Sequence, residues 1–361
     1  MSSNYLSNRL RQWLENHANS LDQSSEFADE IVHHLAQDGV FQFGIPHAQG
    51  GNGTSLQAAI DVIDEIAQYS LTAAFCAWGH RTLLENLRQS RSELHQQLAR
   101  ELLTGERAGG TGLSNAVKFT SGVEALNVSI FAENGKLYLR GRLPWITNLR
   151  ADKYAIIFAA SYADNSKPPI VLAIPSEAGL NLQPKLPLVA LKGSNTHPVL
   201  LDNLELNPDW ILSHNLLDYL ATTRPAFLGL QFGMAFGLAT RALREVKNAF
   251  GGNRDVLFDE WQQTQNALLN IRQALAKGLQ TGRFITHPRE LFQLRIDIVD
   301  VVASAILLEL QASGGRGYLE QGSDFIRRWR EAAFLPIVTP SAVQLRLVLR
   351  ELDAQAEALA A

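Results

Sequence analysis

Leu139-Arg140-Gly141-Arg142-Leu143-Pro144-Trp145-Ile146-Thr147-Asn148-Leu149-Arg150-Ala151-Asp152 runs from an apolar strand pattern into a polar turn. It follows Ile130-Phe131-Ala132-Glu133-Asn134-Gly135-Lys136-Leu137-Tyr138, where Asn134-Gly135 sits between two apolar runs. That pair predicts a hairpin turn. The chain then leaves a strand through Trp145-Ile146-Thr147-Asn148. Residues two apart on a strand face the same side, so Trp145 and Thr147 would set a flat aromatic surface beside a short hydrogen-bonding hydroxyl. Such a pair suits a flat, polar heterocycle. Taken alone it also reads as a core tryptophan and a ladder threonine, because large aromatics are mostly buried for packing.

A chain of 361 residues is long enough for two or three cooperative units. Apolar residues make up 46% and charged residues 19%, an ordinary globular composition. The net charge of −4 supplies no overall basic field, which argues against a nucleic-acid partner. Cys76 is the single cysteine, so neither an intrachain disulfide nor a cysteine zinc cluster can form. The start of the chain lacks a charged segment followed by an apolar core. There is also no run of about 18 uncharged apolar residues. The expectation is a cytoplasmic protein without a membrane span.

Residues 1 to 107 read as helices. Leu6, Leu10, Trp13 and Leu14 keep helical spacing, as do Phe27, Ile31 and Leu35, with Ser24 or Ser25 as cap of the second helix. His33 and His34 fall on that helix about 100° apart and cannot share a metal. Gly39 stops it. A turn-rich link, Phe43 to Gly53, precedes long helical segments from Leu56 to Tyr69 and from Leu71 to Leu103. Residues 108 to 213 alternate β-branched and aromatic runs with Gly, Asn and Pro, which predicts an antiparallel barrel or sandwich. From 214 to 361 the helical period returns. Pro225 is placed in a first turn, Gly251-Gly252 at a stop, and further helices run from about Leu257 to Gly282, from Pro288 to Ser313, and onward from Pro340.

Gly141-Arg142, Trp145-Ile146-Thr147-Asn148 and Ala151-Asp152 together resemble the central β-domain signature of the acyl-CoA dehydrogenase family. Pro46 with Gly50-Gly51-Asn52-Gly53 resembles that family's Gly-rich loop before a helix. The resemblance covers essentially the whole chain. It implies an α+β multidomain fold: an N-terminal helical domain, a central antiparallel β-barrel or sandwich, and a C-terminal four-helix bundle. It also implies FAD as cofactor and a homodimer or homotetramer.

Several residues follow from the resemblance. Gly105 to Asn115 resembles the family's approach to the β-domain, with Ser114 taking the place of a flavin-contacting threonine and Asn115-Ala116 replacing Glu-Pro. Read from the residues, these glycines do not form a dinucleotide fingerprint, because no strand precedes them and no helix clearly follows. Gln311 and Gly314-Gly315-Arg316-Gly317-Tyr318 resemble a cofactor-binding turn. Glycines there let backbone N–H groups approach a pyrophosphate, although the same run is also a plain helix stop. Lys247 stands where the family has an arginine that reaches a neighbouring subunit's flavin phosphates, with Gln262 as a possible companion.

The main departure concerns the catalytic base. Dehydrogenation of a thioester needs a carboxylate to take the α proton. Thr339-Pro340 stands where the family has Glu-Gly, and Thr223 stands at the alternative position before Arg224. Glu331 and Glu320 remain as substitute carboxylates. The expectation is a flavin oxidoreductase acting on an acyl-CoA or a related small molecule, with an electron-transfer or flavin-reductase partner. Two alternatives stay open on the same fold: a flavin-dependent monooxygenase, which needs no glutamate base, and a silent acyl-thioester-binding paralogue.

Overall fold

Ser7 opens the first helix by accepting the Leu10 N–H at 3.2 Å, and α1 (Asn8–Gln23) buries Leu10, Leu14 and Leu21 on one face. The computed structural model describes residues 5–319 and 324–360. Neither Ser24 nor Ser25 caps the next helix. Ser24 closes α1 instead, its hydroxyl donating to the Ser20 carbonyl, and a 3-10 turn leads into α2 (Ile31–Gln37). α3 (Leu56–Ala67), α4 (Leu71–Leu87) and α5 (Glu93–Thr104) follow. The single helix expected from Leu71 to Leu103 is thus two. Ser90 breaks it by accepting the Ser92 N–H and pairing with His95 Nδ1, local bonds that compete with the helical ladder. Every residue of α4 is buried, so it is the axis of this domain.

The middle domain contains β1 (Ala108–Thr111), α6 (Leu113–Thr120), β2 (Val128–Glu133), β3 (Lys136–Ile146), β4 (Tyr154–Tyr162), β5 (Ile170–Pro175), β6 (Asn181–Leu182), β7 (His197–Glu205) and β8 (Ile211–Ser213). Asn134 and Gly135 adopt φ of 51° and 78° and join β2 to β3, as the sequence predicts. The strands form one eight-stranded sheet in the order β6-β7-β3-β2-β4-β5-β8, with β1 also on β4 and β2 joined to the end of β4 at Ser161 and Tyr162. Most pairings are antiparallel, but β1 and β2 both run parallel to β4, so the sheet is mixed. The glycine segment also differs from expectation. Gly109 and Gly110 lie inside β1, and α6 follows at once. A Cβ at Gly110 would stand 2.8 Å from Ile146 and Leu149 side chains, so only glycine admits this packing.

Asn215 starts α7 (Leu216–Asn248) by accepting the Leu217 and Asp218 N–H groups at 3.0 and 3.3 Å. Pro225 is therefore inside the helix and not in its first turn. It removes one helical donor, which the surrounding packing tolerates. α7 is long and apolar enough to cross a membrane, yet 83% of its most apolar window is buried inside the fold, which makes it a core helix. It lies close against α3: a Cβ on Gly237 would meet the Asp64 carbonyl at 2.1 Å. α8 (Phe258–Gln280), α9 (Arg283–Thr286), α10 (Pro288–Ser313), α11 (Phe325–Ala332) and α12 (Ala342–Ala360) complete the C-terminal part.

α11 ties the three parts together. Arg327 pairs with Glu331 at 2.9 Å, and Glu331 accepts the Leu71 N–H of α4 at 3.0 Å. Arg328 pairs with Glu309 of α10. Arg330 reaches Asp22 of α1 at 2.7 Å, and Asp22 also accepts the Leu191 N–H from the middle domain at 2.9 Å.

Candidate active site

Strand β3 ends at Ile146, one residue before Thr147, with a register shift between Leu143 and Ile146. Strand alternation therefore does not carry from Trp145 to Thr147. Trp145 is 57% exposed, whereas Thr147 is buried and its hydroxyl lies 3.1 Å from that of Thr196. Asn148 takes φ of 66° and turns its amide onto the Gly109 carbonyl at 3.0 Å. His80 of α4 holds this corner from below. Its Nδ1 accepts the Gly109 N–H at 3.1 Å and its Nε2–H donates to the Leu102 carbonyl at 2.9 Å. His80 has no exposed surface, and burial lowers its pKa to about 4.

That shift sets a pH dependence. An unfolded chain protonates His80 below about 6.5, while the folded chain resists until about 4. The unfolded state therefore binds more protons in this window, and stability falls as pH drops through it, by up to about 3 kcal/mol. Urea unfolding between pH 7 and pH 4 should show a smaller loss in His80→Gln than in the parent, measured relative to each protein's own value at pH 7. Identical losses in both would show that His80 is not responsible.

A cavity of about 320 Å³ opens between the middle domain and the helical bundle. Leu113 and Val117 of α6, Leu220, Phe227 and Leu228 of α7, Phe292 of α10 and Leu345 of α12 are among its walls. Thr223 and Pro340 both line it, so one of the two positions at which the sequence lacks its glutamate is in the wall, while the other, Thr339, immediately precedes a wall residue without itself lining the cavity. The Thr223 hydroxyl donates to the Tyr219 carbonyl at 2.9 Å, and the Thr339 carbonyl accepts the Gln231 side-chain N–H at 3.1 Å. Gln231 is held in turn by Arg295 at 2.7 Å, and Arg295 also donates to the Leu335 carbonyl at 2.8 Å. Ser114 lies on α6, between Leu113 and the rest of that wall, but neither it nor Trp145 or Thr147 is itself part of the lining. Glu331 is not a substitute base: it is fully buried and committed to Arg327 and the Leu71 N–H, and burial pushes its pKa up. Glu320 lies outside the described residues. Glu351, which the sequence reading passed over, is the one carboxylate among the cavity walls.

A second pocket, of about 540 Å³, lies where α7 and α10 end. Gly317 lines it with Asn248, Ser313, Arg254 and Arg316. Gly314 and Gly315 are exposed in the turn that follows α10, where a Cβ on either would meet nothing, and Gln311 is exposed on the last turn of α10 before it. Lys247, next to the lining residue Asn248, is exposed, with its ammonium 5.8 Å from the Trp261 ring centroid. Gln262 is exposed on α8. Arg241 and Arg328 are paired with Glu245 and Glu309. Arg254 and Arg316 have no acidic partner among the described residues, Arg254 donating instead to the Ala312 carbonyl at 2.6 Å. Two uncompensated guanidinium groups beside a glycine turn form a donor set that fits a diphosphate.

Comparison with known proteins agrees with this layout. The family model described as the N-terminal domain of acyl-CoA dehydrogenase matches residues 5–106. A 3-(aryl)acrylate reductase of Clostridium sporogenes is 24% identical over 73% of this chain and 72% of its own length. An acyl-CoA dehydrogenase of Bacillus subtilis is 23% identical over 84% of each chain. The solved butyryl-CoA dehydrogenase from Megasphaera elsdenii superposes with a TM-score of 0.79 at 18% identity, over 97% of this chain and 96% of its own. The helical, β and helical order is the fold that this chain shares with that solved structure. These likenesses support the acyl-CoA dehydrogenase family for this chain.

Proposed function

We propose that this protein is an FAD-dependent oxidoreductase whose cavity between α6, α7, α10 and α12 holds an acyl thioester or a related small acid. The observation that carries the reading is the convergence of Thr223 and Pro340 on that one cavity, in a chain whose glycine turn leaves Arg254 and Arg316 free for a diphosphate. The domain limits that go with it are 1–107, 108–213 and 214–361. When bound, the flavin supplies a two-electron acceptor. Trp145 offers it a flat face, and Ser114 and Thr147 are the hydroxyls assigned to its polar edge. Gln311, Gly314, Gly315 and Gly317 are assigned to the pyrophosphate, together with Lys247.

These phosphate contacts come from a second copy of the chain in a homodimer or homotetramer, a reading supported by large apolar side chains left exposed on the C-terminal part, Ile337 at 68% and Val343 at 74%. The electrons leave through a separate electron-transfer protein, and the cytoplasm is the proposed location. Titration of FAD into the stripped protein, followed by calorimetry and visible absorbance, tests the assignment. Saturable binding at micromolar FAD is expected, and its absence rules the reading out. Lys247→Ala should weaken binding by about 1–3 kcal/mol, the loss of one charge-assisted contact, while sedimentation still shows an oligomer. Unchanged affinity would remove Lys247 from the site.

The lack of a glutamate favours a second reading, a monooxygenase on the same scaffold. No hydroxyl at Thr223 or Thr339 removes a carbon-bound proton near neutral pH. Consumption of oxygen by the reduced holoprotein, coupled to oxygenation of a bound substrate, would establish it.

A further inference from the structure

Arg224 stands apart from the other arginines shielded by this fold. Arg81 pairs with Glu85, Arg107 with Glu101 and Glu177, Arg327 with Glu331, and Arg328 with Glu309. Arg295 has no carboxylate but donates to Gln231 and to the Leu335 carbonyl. Arg224 is half-buried on α7 in the cavity wall, and among the described residues its guanidinium makes neither a hydrogen bond nor an ion pair. Its one close partner is the face of Phe292, 5.5 Å from the guanidinium carbon to the ring centroid. Glu351 lines the same cavity without pairing with it. Burial alone draws the Arg224 pKa below the ordinary arginine range.

Withdrawing a guanidinium from water without an acceptor is unfavourable, and a site that does so is completed by the ligand it receives. The ligand's complementary group is planar and anionic, because the fork of N–H donors matches a carboxylate in a bidentate geometry. Thr120, Ser121, Thr223, Gln344 and Glu351 are the other polar residues of the wall, and Leu220, Phe227, Phe292 and Leu345 are available to cover an alkyl or aryl body. A volume of about 320 Å³ limits that body to a small one.

We propose that the substrate carries a carboxylate of its own, which docks on Arg224 while its apolar body lies in the cavity. This rests on the reading of the cavity as the substrate site. Arg224 is thereby a specificity-determining residue, selecting acids over their neutral counterparts. The same group is presented by a free organic acid and by an acyl thioester with a distal carboxylate, and two arms of one experiment separate these sources.

Calorimetric binding to the FAD-loaded protein is measured in the first arm for 3-phenylpropanoate and hexanoate against their primary amides. In the second arm adipyl-CoA is compared with hexanoyl-CoA. An acid-over-neutral preference of about 10- to 100-fold is expected in one of the arms. Arg224→Gln should reduce that preference to within about threefold, and Arg224→Lys, which keeps the charge without the fork, should retain part of it. Thermal melting and flavin absorbance of both variants show that fold and cofactor are intact. Equal affinity for acid and neutral ligand in both arms, no saturable binding of any acid, or a preference that survives Arg224→Gln in a folded protein overturns the proposal. Since flavin content is read separately by absorbance, failure of acid recognition is distinguishable from failure of the FAD reading.

Discussion

Under anaerobic mixing with a saturated acyl-CoA, the Thr339→Glu variant is expected to lose its flavin absorbance about 10²–10⁴ times faster than the parent protein, the usual contribution of a positioned general base. The expectation comes from how the segment is held. The Thr339 carbonyl is fixed by Gln231, Gln231 by Arg295, and Arg295 also fixes the Leu335 carbonyl, so residues 335 to 339 are pinned to α7 and α10. Pro340 follows directly in the cavity wall. A carboxylate at 339 would thus enter a preset frame. Proline restricts the residue before it to extended conformations, so a second variant that adds Pro340→Gly tests whether the new side chain is turned away. Rapid bleaching of the parent would show that the base is elsewhere, with Glu351 the first residue to replace. A folded, FAD-loaded variant that is no faster in either form would remove Thr339 from the role.

Replacing Glu331 by alanine should lower the unfolding free energy by about 3–5 kcal/mol, the range for stranding one partner of a buried ion pair. Glu331 and Arg327 are 0% and 2% exposed at the side chain, 2.9 Å apart. The change leaves the Arg327 charge without its buried partner and also removes the acceptor of the Leu71 N–H. Urea denaturation is the direct measurement. Replacing both partners with apolar residues of similar size should restore much of the loss, because the cost lies mainly in the uncompensated charge. A loss below about 1 kcal/mol for the single variant would mean that water reaches Arg327 and that the pair behaves as a surface one.

What could be read from the sequence followed the range of the forces involved. The Asn134-Gly135 turn and the helix from Pro288 to Ser313 are fixed by residues beside one another, and both form with the expected limits. The order of helical, β and helical parts depends only on local periodicity. Hidden from such reading was α11, whose Phe325-Ile326-Arg327-Arg328-Trp329-Arg330-Glu331 run is rich in charge and gains its burial from partners up to 308 residues away. The strand at Gly109 and Gly110 was hidden too, because it needs α4, α5 and β3 pressed against it. At the site, the threonines at 223 and 339 drew notice only through resemblance. The cavity that Thr223 and Pro340 line, the Arg224 guanidinium without a hydrogen-bond or ion-pair partner among the described residues, and the neutral His80 under Asn148 are tertiary facts with no sequence signal of their own.

The short helix α11 carries a further consequence. Its charged side chains are distributed one to each neighbour: α4 through Glu331, α10 through Arg328, and α1 with the middle domain through Arg330 and Asp22. A piece cut near residue 106 would keep Asp22 and the Leu71 amide but lose Arg330, the Leu191 N–H and Glu331, leaving Asp22 with the Gln23 amide. The N-terminal helices thus depend on α11 for partners of two buried polar groups. A segment exchanged at this boundary without α11 would leave the Leu71 N–H without its Glu331 acceptor and Asp22 without the Arg330 charge.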